Sequence, residues 1–218
     1  MVTSRTKLAL PGMTRLLLDD CLPPEEALKL LQGIKPNIDP EIGKQICSLC
    51  GYLPLALRAA GSLLAVTIDL DPADYLKLLR DECNRLENIG TEGVDVGIEA
   101  SFNLSYARLD KDTAHVFRLL AVFNNWFDAE EEEFVCKDAG HKQLSNLLRH
   151  SLVLYDSTRK RYRLHDVMRL LANKTLIFDE ERNFASARYQ HLLLITDADG
   201  ERHADMIPGD YVRDEYFT

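Results

Sequence analysis

The stretch "LVLYDSTRKRYRLHDVMRLLA", residues 152–172, decides the fold class of the second half of the chain. Apolar and polar residues alternate on both sides of a polar turn, a pattern typical of a β-hairpin. The second strand ends in His165 and Asp166, and an amphipathic helix pattern follows directly. Taken alone, these two residues are a helix cap, half of a metal site, or a contact to a ligand.

Helical patterns precede the hairpin. Apolar side chains share one helix face in residues 98–109, Asp110 and Asp128 are expected to cap two further helices, and residues 141–151 form another. The order helix, helix, helix, hairpin is that of a winged-helix domain, a variant of helix-turn-helix. We therefore predict a winged-helix domain over residues 98–178.

The first part of the chain predicts four helices with short connections, over residues 21–86. Asp39 and Asp71 are each followed by a proline, which combines a capping side chain with the preferred first helical residue. Pro54 begins a further helix in the same way. The predicted fold class is mainly α: a helical bundle followed by a winged-helix domain with a β-hairpin wing.

Glycine and polar residues mark the boundary between the two predicted domains. Residues 87–97, "ENIGTEGVDVG", are the predicted linker because no other stretch is as rich in glycine. Residues 179–218 are predicted to contain one more helix and a tail without periodicity, and the helix fits the start of C-terminal helical repeats.

Composition limits the class of protein. The chain has 218 residues and a formal net charge of -9, which argues against general binding to nucleic acid or anionic membranes. No apolar run approaches the length of a bilayer span. The five cysteines are an odd number scattered through helical patterns, as expected for reduced thiols. We therefore expect a soluble cytoplasmic protein that does not associate with a membrane.

Two short motifs imitate a nucleotide-hydrolysing site. "LLLDD" (16–20) resembles a Walker B strand, and Gly43-Lys44 resembles the end of a P-loop. A P-loop needs a glycine at position 38 and Ser or Thr at position 45, but the residues there are Ile38 and Gln45. Without backbone amides to bind phosphates, we expect no catalytic residues and no enzyme activity in this chain by itself.

The cysteine pair and the His-Asp pair have simpler interpretations than metal binding. Cys47 and Cys50 have ligand spacing, but no second pair stands at a zinc-site distance, so we interpret them as small core residues. A metal centre at His165 and Asp166 would need further ligands at helix spacing. We favour Asp166 as the cap of the following helix, with His165 buried beside it, and we expect no metal site.

A winged-helix DNA-binding regulator is the rival function. Its recognition helix would hold only Lys142 and Arg149 as fixed positive charges, and the preceding helix would present Glu130 to Glu133 to the phosphates. The hairpin tip, residues 159–163, is basic, but such a tip is commonly a solvated turn. DNA binding is therefore the alternative and not the first interpretation.

Several stretches resemble one family and stand in its order along the chain. The family is NB-ARC, the signalling ATPases of the STAND class, which include plant disease-resistance proteins and the animal apoptotic protease-activating factor. "ASFNLSYARLD" followed by "VFRLLAVF" resembles the start of its winged-helix subdomain, especially in bacterial members. The resemblance covers residues 1–178. Its motifs are "VTSR" (2–5), "LPPEEALKLL" (22–31), "ICSLCGYLPLAL" (46–57) and "YRLHDVMRLLA" (162–172).

The resemblance implies two contacts to the base and the terminal phosphate of a nucleotide. In the family, the arginine of the Thr-Ser-Arg segment senses the terminal phosphate, which implies that role for Arg5. The proline of the Gly-Leu-Pro-Leu motif packs on adenine, which implies that role for Pro54. The flanking residues with supporting roles are Thr3, Ser4, Leu53 and Leu55.

The resemblance also implies a phosphate contact at the hairpin. The histidine of the Met-His-Asp motif touches the β-phosphate of ADP, which implies that role for His165, with Asp166 bracing the junction. Tyr52 stands where the family has glycine and Leu164 where it has methionine. Both departures fall at places that we expect to tolerate apolar residues.

The family's P-loop and Walker B acid precede the Thr-Ser-Arg segment. The resemblance therefore implies that residues 1–20 are the end of a P-loop domain and that this chain is the C-terminal part of an NB-ARC module. Its first partner would be the P-loop domain of the same protein, with oligomerisation in the ATP state. The full-length protein would be a slow ATPase switch, in defence signalling or a related response, that holds ADP or ATP with Mg²⁺. We expect neither nucleotide to bind tightly to this chain.

Overall fold

The computed structural model describes residues 21–90, 95–175, 183–190 and 192–193. These residues are mainly helical, which confirms the mainly α class. The helices of the first half are α1 (Pro24–Ile34), α2 (Pro40–Leu49), α3 (Pro54–Val66) and α4 (Pro72–Ile89). The second half contains α5 (Val96–Tyr106), α6 (Lys111–Leu119), a 3-10 turn (Leu120–Val122), α7 (Ala129–Cys136), α8 (Lys142–Arg149), β1 (Leu154–Asp156), β2 (Arg161–Arg163) and α9 (Asp166–Thr175). Residues 183–190 and 192–193 are also helical.

Aspartate side chains fix where five of the described helices begin. Asp39 caps α2 and Asp71 caps α4, each by accepting hydrogen bonds from backbone N–H groups of the first turn. Asp110 caps α6 and Asp128 caps α7 in the same way. These caps confirm the predicted helix starts, and each is worth about 1 kcal/mol. Asp95 caps α5 at a position predicted as linker.

The two thiols of the Cys47-Cys50 pair lie in the core between the first helices. Burial raises the pKa of the Cys47 thiol to about 11 and that of the Cys50 thiol to about 12. Burial thus disfavours the thiolate form of both groups. Their interpretation as core residues is confirmed.

Helix α5 packs against α3 and α4 of the first half and also contacts α9. Gly97, in its first turn, lies so close to the end of α2 that an added Cβ would stand 2.6 Å from the carbonyl oxygen of Leu49. One turn later, the Ser101 hydroxyl lies 3.5 Å from the Cys50 sulfur. Since α5 packs on both sides, the domain boundaries drawn at residues 87–97 stay a prediction.

The hairpin is attached to the chain segment between α6 and α7. Strands β1 and β2 pair antiparallel with Tyr155 opposite Tyr162, which confirms the predicted hairpin. On the other edge of β2, the N–H of Phe127 donates to the Tyr162 carbonyl at 2.9 Å, and the N–H of Tyr162 donates back at 2.7 Å. The Phe127 and Tyr162 rings stack with centroids 5.9 Å apart.

Helix α7 buries two of its four consecutive glutamates. The Glu131 carboxylate accepts a hydrogen bond from the Asp128 N–H at 2.7 Å and completes a capping box. Glu132 has no exposed surface. The expectation that Glu130 to Glu133 all face a phosphate backbone is wrong for these two, because the helix turns adjacent residues to different faces.

Replacing Gly97 by alanine should destabilise the protein by about 1–3 kcal/mol, because the new methyl group would overlap the Leu49 carbonyl. The matched control is Gly33→Ala. Gly33 lies at an exposed position of helix α1, where an added Cβ meets nothing within 4 Å. That variant should gain about 0.5–1 kcal/mol from helix propensity. Urea unfolding followed by circular dichroism measures both. Equal effects of the two changes would contradict the close approach of α5 to α2.

Candidate functional site

The first candidate contact is the turn between α2 and α3. Pro54 is the first residue of α3, Leu53 precedes it, and both are half-buried, as is Leu55. The turn is held by backbone hydrogen bonds, including the N–H of Tyr52 to the Cys47 carbonyl at 3.0 Å. The ring of Pro54 is thereby fixed at a partly accessible, apolar helix start.

This turn places two successive residues in the left-handed region. Gly51 has φ +59° and Tyr52 has φ +55°. Glycine adopts this conformation without steric penalty, whereas an L side chain costs on the order of 1–2 kcal/mol. The carbonyl of Tyr52 also accepts a hydrogen bond from the N–H of Leu22 at 2.9 Å, which holds the turn against the chain before α1.

The second candidate contact is the junction between β2 and α9. Asp166 is the first residue of α9, and Nδ1 of His165 accepts a hydrogen bond from the N–H of Val167 at 3.3 Å. His165 therefore occupies the capping position, and the expectation that Asp166 caps the helix is wrong. His165 is also half-buried instead of buried. Since Nδ1 accepts, the proton of a neutral ring resides on Nε2, which is the donor nitrogen.

Asp166 braces the junction through two arginines. Its Oδ1 lies 3.5 Å from Arg163 of β2 and 3.7 Å from Arg169 of α9. The guanidinium of Arg169 also donates to the Asn124 side chain at 2.8 Å. All three side chains are partly exposed, so each ion pair contributes little stability. Their effect is to fix the direction in which the hairpin enters α9.

The basic hairpin contacts its own chain. The guanidinium groups of Arg159 and Arg163 lie over the Trp126 ring, at 5.1 and 5.7 Å from its centroid. Arg161 lies 3.5 Å from both Asp128 and Glu131 at the start of α7. Three of the four basic residues at the hairpin tip therefore already interact with an aromatic ring or a carboxylate of this chain.

The two candidate contacts stand at the starts of two different helices, Pro54 at α3 and His165 at α9. Lys174, near the end of α9, is 3.6 Å from Glu99 of α5, whereas His165 is at the other end of α9, roughly 13 Å away along the helix axis. Within the described ranges, no hydrogen bond or ion pair connects His165 with Pro54. Arg5, Thr3 and Ser4 lie outside the described residues.

The part of the chain that the structure describes contains no cluster of three or more His, Cys, Asp or Glu side chains suited to a metal ion. Within the same residues, no helix combines the length and the apolar character that crossing a membrane requires.

A buried glutamate paired with a partly exposed histidine was not recognised from the sequence. The Oε2 of Glu132 lies 3.1 Å from Nδ1 of His141, and the Oε1 of Glu132 is buried without a hydrogen-bond partner. Burial raises the pKa of Glu132 to about 7, the hydrogen bond from His141 opposes the rise, and Asp138 and Glu133 add to it. Glu132 was not singled out because it stands in a run of four glutamates, a pattern that is typical of a solvent-exposed helix face.

The chain matches no known protein-family profile. It is 29% identical to the regulatory protein AfsR of Streptomyces griseus, over 99% of this chain and 23% of AfsR. It is 31% identical to AfsR of Streptomyces coelicolor, over 79% of this chain and 18% of that protein. It is 30% identical to the disease resistance RPP8-like protein 3 of Arabidopsis thaliana, over 68% of this chain and 19% of that protein.

A solved structure has a similar fold. It is a STAND protein with a tetratricopeptide repeat sensor from Pyrococcus horikoshii, with a TM-score of 0.57 at 18% identity, over 81% of this chain and 22% of that one. This chain is an NB-ARC relative of the STAND class. It spans about a fifth of the length of the curated relatives it matches.

The two departures from the NB-ARC motifs have different physical meanings. Leu164 is 4% exposed in the core, where leucine and methionine have similar volumes, so this substitution keeps the packing. Tyr52 occupies a left-handed position, so the NB-ARC glycine there matches a backbone requirement that tyrosine meets only with strain. Tyr52 nevertheless packs against the core, so position 52 accommodates its apolar ring at the cost of a strained backbone.

Restoring the NB-ARC glycine with Tyr52→Gly should give a more stable protein than Tyr52→Ala, by about 1 kcal/mol. Both variants lose the same tyrosine contacts, and only alanine keeps the Cβ that a positive φ disfavours. Urea midpoints of the two variants measure the difference. A more stable alanine variant, as at an ordinary helical or extended position, would refute the left-handed assignment.

The Glu132→Gln variant should lose a pH dependence that the wild type has. The folded-state pKa of Glu132 lies above the unfolded value, so the folded protein binds more protons between about pH 4.5 and 7. This contribution to stability is present at the lower pH and is lost as pH rises through 7. The change in the free energy of unfolding caused by Glu132→Gln should therefore be more favourable at pH 7.5 than at pH 5. The difference between the two pH values should be about 1 kcal/mol or more.

The free energy of unfolding of both proteins at pH 5 and pH 7.5 tests this. Exposed Glu130→Gln, on the same helix, is the matched control for the loss of one carboxylate charge. A wild type and Glu132→Gln variant with parallel pH profiles would argue against a protonated Glu132.

Proposed function

We propose that this chain is the regulatory helical and winged-helix part of an NB-ARC switch that distinguishes ADP from ATP. Residues 98–178, which contain most of α5, then α6, α7 and α8, the hairpin and α9, are the winged-helix subdomain in this proposal. The observation that carries it is the fixed orientation of His165, which supports its implied role at the β-phosphate.

The chemistry of a phosphate contact suits His165 in this position. Its Nδ1 is engaged by the N–H of Val167, so Nε2 is the nitrogen that donates to a phosphate oxygen. The start of α9 adds the partial positive charge of a helix N-terminus, which favours an anion. A hydrogen bond to a charged group contributes roughly 1.5–3 kcal/mol, which corresponds to about a tenfold to hundredfold preference.

Pro54 is proposed to pack on adenine. Its ring is held at the first position of α3, and the half-buried Leu53 and Leu55 extend the apolar surface beside it. Arg5 is proposed to sense the terminal phosphate, with Thr3 and Ser4 supporting it. These contacts come from three separate parts of the chain, so nucleotide binding would depend on how the parts are arranged.

The switch itself would be a shift of populations. If His165 reaches the β-phosphate only in the closed arrangement, ADP favours closure by the free energy of that contact and no more. ATP would release the winged-helix part and expose surfaces for oligomerisation. A P-loop domain would supply Mg²⁺ coordination and most nucleotide contacts, and the chain described here would not be an enzyme by itself. We place this activity in the cytoplasm, in signal transduction.

The rival DNA-binding function has weaker support. Arg159, Arg161 and Arg163 are engaged by Trp126 or by carboxylates of their own chain. Phosphate contacts would have to replace those interactions before they contributed affinity.

The test separates the sensing role of His165 from its capping role. Asn and Asp are equally good helix caps, but only Asn can donate a hydrogen bond to phosphate, and Asp adds repulsion. In the NB-ARC protein that contains this chain together with its P-loop domain, His165→Asp should lower ADP affinity by about tenfold or more. His165→Asn should retain more of the affinity, and both variants should unfold at the same urea concentration.

Titration with ADP and with a non-hydrolysable ATP analogue measures the effect. ATP affinity should change less than ADP affinity, because the contact belongs to the ADP state. An ADP affinity that is the same in the wild type and in His165→Asp would rule out the sensor role.

A further inference from the structure

A cleft of about 430 Å³ lies between the two halves of the chain. It is lined by the end of α3 and the turn after it at residues 66–69, by residues 108–110 before α6 with Thr113 of α6, and by the end of α8 at residues 146, 149 and 150. Its volume is in the range of small-molecule sites. Neither His165 nor Pro54 lines it, so it is separate from the proposed nucleotide contacts.

Two arginines that form no ion pair line this cleft, together with Asp69 and Asp110. Arg108 follows α5, and Arg149 ends α8. Among the residues that the structure describes, neither guanidinium group has a partner in an ion pair or a side-chain hydrogen bond. Two positive groups at one cleft repel each other, and a bound anion would relieve that repulsion while accepting bidentate hydrogen bonds.

A histidine at the same cleft has an unused hydrogen-bonding atom. Nδ1 of His150 is buried and has no hydrogen-bond partner. Buried polar atoms are rarely left unpaired in folded proteins, so this one indicates a missing partner. Burial lowers the pKa of His150, the charge of Arg149 lowers it further, and Asp110 opposes this. A neutral ring can donate or accept, so it complements the two arginines without adding charge.

The acids at the cleft do not cancel the arginines. The Asp110 carboxylate is engaged at the start of α6, where it accepts hydrogen bonds from the N–H and the hydroxyl of Thr113 at 2.9 and 2.7 Å. Asp69 is exposed at the cleft, as Arg108 and Arg149 are, so solvent screens all three charges, and Asp69 forms no ion pair with either arginine. Thr113 and Asn146, which also line the cleft, are hydrogen-bonded to each other. Within the described part of the chain, the cationic or ring nitrogens at the cleft that lack a partner are those of Arg108 and Arg149 and the Nδ1 of His150.

We propose that this cleft binds a small anionic molecule, with a carboxylate or phosphate group placed between Arg108 and Arg149 and hydrogen-bonded to His150. The ligand would contact the turn after α3 on one side and the end of α8 on the other. It would therefore stabilise the relative position of the two halves, and its effect on folding stability would grow with ligand concentration.

The 218-residue chain is titrated with inorganic phosphate and, separately, with succinate, at an ionic strength held constant with sodium chloride. Isothermal calorimetry and thermal unfolding report binding. At least one of the two probes should bind saturably, and Arg108→Gln and Arg149→Gln should each weaken that binding by about tenfold or more. Arg58→Gln is the control: it removes an exposed arginine of α3 that does not line the cleft.

The outcomes separate the ligand classes. If only phosphate binds in an arginine-dependent way, the ligand carries a phosphate group. If only succinate does, the ligand carries a carboxylate group. A response to both probes assigns the shared anionic chemistry. A response no larger than that to chloride, or an equal loss in Arg58→Gln, overturns the proposal. His165→Asp should leave the binding unchanged, which distinguishes this cleft from the nucleotide contact.

Discussion

The contact between the start of α5 and the end of α2 is the constraint on which the rest of the arrangement depends. The backbone of Gly97 lies against the Leu49 carbonyl, so α5 enters the first helical group while its far side meets α9. Because protein interiors are densely packed, a side chain at that point would displace α5 as a rigid element. Helix α5 is thereby the element that contacts both α3 and α4 of the first half and α9 of the second.

Local chemistry made much of the fold predictable from sequence. Asp39 and Asp71 before prolines mark helix starts, and the alternation around residues 157–160 marks the hairpin, since each signal acts within a few residues. The role of α5 was not predictable in this way. Gly97 stands in a polar, glycine-rich stretch that indicates a linker, and only the long-range approach of Leu49 gives it a packing function.

The candidate site was predictable to a smaller extent. Family resemblance singled out His165 and Pro54, and both lie at helix starts. It did not predict that His165 caps its helix, because histidine is not among the common capping residues. Nor did it predict the left-handed backbone at Tyr52, since φ is a property of the turn. Glu132 and the cleft at Arg108 and Arg149 were missed because their surroundings come from elements distant in sequence.

The engagement of Trp126 by the hairpin arginines has a spectroscopic consequence. Trp126 is the chain's single tryptophan, and Arg159 and Arg163 lie over its ring. Arg163 also pairs with Asp166, the neighbour of His165. Any movement that separates the hairpin from α9 therefore changes the charge and hydration around one indole. Intrinsic fluorescence of the unlabelled protein thus serves as an optical signal located beside the junction of β2 and α9, with no second indole contributing background.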